Sequence, residues 1–150
     1  MKTEFLILAD AAQVANGKLF ILGGGWTLYR SAVYPAQVQL ALGIGILIEW
    51  SEAGIRHPVT ITMADEGGVL LMPELNGQVE AGRPAELGAG VTQRALLAVN
   101  VGLVIPRPGR YVIAATAGAS RAEVSFQAVF VGQKQPGATS PPEPGQDLGN

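Results

Sequence analysis

A chain of 150 residues with 48% hydrophobic content has room for one domain with a real core; folding at that size buries roughly 70% of the surface the unfolded chain exposes, and a composition this apolar excludes a disordered polypeptide. Ten Lys and Arg against twelve Asp and Glu give a formal charge of −2, which excludes the basic footprint needed to neutralise phosphates and any polybasic attachment to an anionic membrane. The absence of cysteine removes disulfides, thiolate metal sites and cysteine nucleophiles together.

Charge is sparse as well as balanced. Only 15% of residues are charged, against about 25% in an ordinary soluble protein. Setting aside Lys134, Glu143 and Asp147 leaves nine basic against ten acidic groups before residue 133. A surface so poor in charge resists association weakly, so a protein partner or a second copy of the chain is the expected kind of ligand.

In chain order, the first apolar run, residues 5–9, is stopped by Asp10. It is too short for the core of a signal peptide or for a membrane span, and the cytoplasm is the expected location. Phe5, Ile7 and Ala9 alternate with Leu6, Leu8 and Asp10, the period of a strand. Asn16-Gly17 supplies the positive φ values of a type I′ hairpin. The first strand is therefore expected to pair antiparallel with a segment carrying Phe20, Leu22, Gly24, Trp26 and Leu28 on one face. Within that segment Gly23-Gly24-Gly25 lacks the spacing of a phosphate-binding loop and any helix behind it, and reads as a kink or bulge.

The clearest alternation begins at Val38. Val38, Leu40, Leu42, Ile44, Ile46 and Ile48 form one bulky face, while Gln39, Ala41, Gly43 and Gly45 form a nearly flat opposite face. The two glycines and the β-branched residues count against a helix. Val59, Ile61 and Met63 make a further strand, and Asp65-Glu66-Gly67-Gly68 turns the chain into residues 69–71. A weaker strand covers 77–81, and 82–90 is a loop by composition. Three more strands carry Ala95, Leu97, Val99, Val101 and Leu103; then Tyr111, Ile113 and Ala115; then Val124, Phe126, Ala128 and Phe130. The first two are separated by Pro106-Arg107-Pro108-Gly109, which cannot continue a ladder. From Gln133 the composition turns to Pro, Gly and polar residues, that of a flexible tail.

Eight or nine short strands with turn signals between them, and no convincing amphipathic helix, define an all-β chain. The expected architecture is a single antiparallel β-sandwich, immunoglobulin-like or jelly-roll-like, over residues 1–132, followed by a Pro/Gly-rich tail over 133–150.

Four segments, LADAAQVANGKLFILGGGWT, ITMADEGG, EAGRPAELGAGVTQ and PRPGRYVIAATAGAS, resemble an uncharacterised family of small bacterial proteins, a domain of unknown function for which the resemblance implies a β-sandwich. The likeness spans residues 5–131 and lies in strands and turns rather than in a catalytic signature. It implies no reaction, no cofactor and no site residues.

No catalytic, cofactor-binding or metal-binding set is expected. His57, the only histidine, has Glu49 and Glu52 close in sequence but no nucleophile to serve, and a single histidine cannot form a multi-His metal site. Asp65-Glu66 sits in a Gly-Gly turn, the usual composition of a solvated hairpin tip. The expected binding surface consists of the flat strip Ala41, Gly43 and Gly45 together with the aromatics Tyr34 and Trp50. The function expected is thus a non-catalytic binding or assembly module, self-associating or bound to another protein. Two alternatives are a small-ligand or carbohydrate-binding sandwich built on Trp50 and Tyr34, and a hydrolase using carboxylates drawn from Glu49, Glu52, Asp65 and Glu80.

Overall fold

In the computed structural model, which describes residues 1–132, the alternation after Val38 becomes the centre of the molecule. The strands are β1 (Lys2–Ala9), β2 (Ala11–Ala15), β3 (Lys18–Leu22), β4 (Leu28–Ser31), β5 (Ala36–Ile48), β6 (His57–Asp65), β7 (Leu75–Val79), β8 (Gln93–Ile105), β9 (Gly109–Ala117) and β10 (Ser120–Phe130), with one turn of 3-10 helix at Trp50–Glu52. The expected tail over 133–150 lies outside the described residues. No helix among them is long and apolar enough to cross a membrane.

Two sheets face each other. One has the order β1-β5-β8, the other β4-β10-β9-β6-β7, and β2 with β3 forms a separate hairpin. The bulky face of β5 is exposed by no more than 6% at any of its six residues and meets Val59, Ile61 and Met63 of β6, Tyr111, Ile113 and Ala115 of β9, and Phe126 and Ala128 of β10. Each such side chain contributes about 1.5–3 kcal/mol when fully buried, so this interlayer core carries the fold. Phe126 is its aromatic hub: Trp26 meets it edge-on with ring centroids 5.3 Å apart, and Tyr111 stacks on it at 5.6 Å.

The strand order is that of an immunoglobulin-type sandwich rather than a jelly roll. β1, β5 and β8 take the places of strands A, B and E, and β6, β9 and β10 those of C, F and G. Tyr111, at the start of β9, donates its hydroxyl proton to the Arg107 carbonyl at 2.6 Å. This is the tyrosine corner of such folds, at the same E–F connection. The place of strand D, beside β8, is not filled by any strand among the described residues.

The sheets are antiparallel with one exception: β4 runs parallel to β10, pairing Leu28–Ser31 with Gln127–Phe130. The chain crosses from the β2–β3 hairpin to the second sheet through residues 23–27, where Gly23 and Gly25 hold φ at +62° and +83°, so the glycine triplet ends β3 instead of continuing one face from Phe20 to Leu28. A second correction concerns the hairpin. Asn16 and Gly17 do adopt φ of +50° and +69°, but the strands they join are β2 and β3, while β1 pairs with β5. Asp10 is the corner that separates them: its N–H donates to the carbonyls of Leu22 and Gly23, both at 3.1 Å. From there the hairpin folds back over the outside of the first sheet.

Candidate functional site

The flat strip on β5 is where the hairpin lands. Ala41, Gly43 and Gly45 are all buried. Ala41 lies against Ala9, Ala12, Ile21 and Ala98. A methyl group added at Gly43 would run into Ile21 and press on Leu19, and at Gly45 it would enter the Phe5 ring. The strip expected as an open contact surface is therefore filled from within the chain, by the hairpin and by Phe5 of β1. Its small residues serve a close approach of two layers.

The hairpin is fixed from β8. Asn100 accepts a hydrogen bond from the Ala12 N–H through Oδ1 at 3.2 Å and donates from Nδ2 to the Ala12 carbonyl at 2.8 Å. Periodicity does not reveal this residue. The only signal is an amide side chain interrupting an apolar strand, VNVG.

Tyr34 and Trp50 are not brought together. One precedes β5 and the other follows it, so they stand at opposite ends of a thirteen-residue strand roughly 40 Å long at about 3.3 Å per residue. Tyr34 donates its hydroxyl proton to the Val129 carbonyl at 2.8 Å. Burial, reinforced by the neighbouring phenols of Tyr29 and Tyr111, pushes its pKa above the ordinary tyrosine value. Trp50 is half-buried and receives the Arg83 guanidinium 5.7 Å from its ring centroid.

Of the carboxylates weighed for hydrolysis, Glu49 caps the 3-10 turn with its N–H donating to Glu52 Oε2 at 3.1 Å, and the other three pair with separate cations. Glu52 pairs with the Met1 amino group, Glu80 with Arg56 at 3.4 Å, Asp65 with Arg107 at 2.9 Å, and Glu4 with Arg94. His57 donates from Nε2 to the Glu52 carbonyl at 2.8 Å, a contact that fastens the 3-10 turn to β6. Among the described residues no group of three or more metal-ligating side chains converges.

One polar cleft, of about 430 Å³, joins two segments legible in the sequence, the 65–69 turn and the Pro106–Tyr111 corner. The two meet because β6 and β9 pair Asp65 opposite Tyr111. Asp65 uses both oxygens there, Oδ1 accepting from the Val69 N–H and Oδ2 from Arg107, each at 2.9 Å. Arg110 reaches Ser125 at 3.4 Å. With its carboxylate so committed, this constellation ties one turn to the tyrosine corner.

Exposed apolar side chains occur at several loops and strand ends, among them Val33, Val69 and Phe130. On the outer face of the hairpin Phe20 is 55% and Leu22 71% exposed. β8 ends its sheet, with β5 as its only strand partner among the described residues. Its core-facing Ala95, Leu97, Val99 and Val101 are only partly buried, unlike the corresponding face of β5.

These features define the class: an immunoglobulin-type β-sandwich whose unusual chemistry lies along a sheet edge and an apolar hairpin face. Residues 4–126 match a family of unknown function (DUF6941), and the chain belongs to that family. The likeness carried by its strand and turn segments is thus borne out at the level of an uncharacterised domain family. No curated protein matches the chain.

Proposed function

We propose that the chain is a non-catalytic assembly module that associates with copies of itself through its sheet surface, with the cytoplasm as its expected compartment. The observation that carries this reading is β8, a thirteen-residue strand at the end of its sheet with no charged side chain from 95 to 105. An edge strand presents a row of backbone donors and acceptors that template further pairing, and proteins that stay apart blunt such edges with lysines, prolines, bulges or short strands. β8 has none of these over that stretch: its register with β5 runs unbroken from Ala36↔Ile105 to Ile48↔Gln93. Arg94, the one charge on the strand, is paired with Glu4. The sparse charge of the whole chain and the exposed Phe20 and Leu22 support the same reading. A carbohydrate platform draws little support from aromatics at opposite ends of β5, as does a carboxylate hydrolase from carboxylates paired with separate cations.

The test is the solution mass of the full chain by light scattering from micromolar to millimolar concentration. A defined oligomer that grows in with concentration is expected. A strict monomer at the highest concentration overturns the proposal.

A further inference from the structure

Resting on that reading of self-association, we infer how the copies meet: two β8 strands pair antiparallel, edge to edge, about a two-fold axis at Val101, joining two three-stranded sheets into one of six strands.

Three considerations favour a strand beside β8. The chemistry of the edge itself selects an extended strand, because only a strand satisfies a row of outward N–H and C=O groups. The immunoglobulin arrangement has such a strand at this position, D beside E, and here none of the described strands occupies it. The core-facing Leu97, Val99 and Val101 of β8 are only partly buried, whereas those of β5, which has neighbours on both sides, are exposed by at most 6%. A strand added beside β8 covers that difference.

Charge admits a copy of the same strand. A two-fold axis perpendicular to a sheet places one residue opposite itself, and the interface is isologous. Centred on Val101, the pairing sets Asn100 against Gly102, Val99 against Leu103, Ala98 against Val104 and Leu97 against Ile105. No charged residue occurs between 97 and 105, so no like charges are opposed.

The hairpin fixes the position of the axis. β2 crosses the outer face of the sheet where Ala12 meets Ala41 and Asn100, and β3 crosses it at Gly43, whose partner on β8 is Ala98. Two residues nearer the hairpin tip than Ala12, and on the same face, Val14 is 38% exposed, so the hairpin reaches the edge of the sheet there. An axis at Val99 would bring both hairpins over one stretch of the joined sheet. An axis at Val101 sets β2 beside its symmetry mate. Residues 133–150 are a poorer occupant, since Pro136, Pro141, Pro142 and Pro144 lack the N–H groups a ladder requires.

The chain has no cysteine, so single-cysteine variants of the full chain report contacts directly. Leu97→Cys, Val99→Cys, Val101→Cys and, as a remote control, Val33→Cys are oxidised at a concentration where light scattering shows the oligomer. Val101→Cys is expected to form a disulfide-linked dimer at least tenfold faster than the control and faster than the other two. Val101→Lys, which sets two ammonium groups face to face, is expected to raise the dissociation constant at least tenfold when measured below the variant's own thermal unfolding transition. Fastest cross-linking at Leu97 or Val99 overturns the axis. An oligomer with no cross-linking along β8 and no response to Val101→Lys overturns the edge pairing while self-association stands. A monomer throughout removes both.

Discussion

The Asn100 side chain holds the Ala12 backbone by both of its polar groups, donating to the carbonyl and accepting from the N–H across 88 residues of sequence. One amide thereby does for the hairpin what a neighbouring strand would do: it satisfies a donor and an acceptor of the same residue. Ala12 is 8% exposed, while Asn100 itself is exposed, so truncating the amide lets water reach the two groups. Asn100→Ala is expected to destabilise the fold by about 0.5–1.5 kcal/mol, the net worth of intramolecular hydrogen bonds that water can replace. Asn100→Asp is expected to cost more, because a carboxylate oxygen would face the Ala12 carbonyl. Denaturant unfolding measures both, and faster hydrogen exchange at the Ala12 amide locates the effect. Equal stability of Asn100→Ala and the parent would remove the role assigned to this contact.

The two glycines of β5 are expected to differ in how well they tolerate alanine. At Gly43 the new methyl group meets the end of the Ile21 side chain, which can rotate away; at Gly45 it meets the Phe5 ring, which cannot bend. In a strand, alanine otherwise gains slightly over glycine through chain entropy. Gly43→Ala is thus expected within about 1 kcal/mol of the parent, and Gly45→Ala to lose about 1–3 kcal/mol, the usual range for overpacking. The double variant Phe5→Leu with Gly45→Ala should recover part of that loss. Additive effects in the double-mutant cycle would place the cost somewhere other than the ring.

The strands that alternate cleanly, β5, β6, β9 and β10, were legible in sequence because each has one face in a single interlayer core. The turn at Asn16-Gly17 was legible for a local reason, its positive φ values. What periodicity cannot convey is which surface covers which. The strip Ala41-Gly43-Gly45 reads as flat, but whether a flat face awaits a partner or receives its own chain depends on Asn100 and Ala12, 88 residues apart. The break at Asp10 and the parallel pairing of β4 are equally non-local. Of the expected site residues, the sequence located each on its strand or strand end but could not place Tyr34 and Trp50 relative to each other without the length of β5. The asymmetry between β5 and β8 also escaped, since both read as long apolar strands and only the sheet order makes one central and the other an edge.

Alkaline pH provides a separate test of the packing at the start of β5. Tyr34 donates its proton to the Val129 carbonyl, and burial first, then the neighbouring phenols, raise its pKa in the folded chain. A phenolate cannot make this donation, so the neutral form belongs to the folded state. The unfolded chain ionises near the ordinary value of about 10 and the folded chain above it, so the folded state binds more protons in between and stability falls as pH rises. The contribution is complete below about pH 10 and is lost as pH climbs through the folded value. Tyr34→Phe is expected to lose about 1 kcal/mol at neutral pH through the missing hydrogen bond, and to show a shallower decline above pH 10. Unfolding midpoints measured for both chains from pH 8 to pH 11.5 should therefore converge at the alkaline end. Curves that stay parallel would mean that Tyr34 ionises at the same pH in the folded and unfolded chain, which would remove the link between its hydrogen bond and pH.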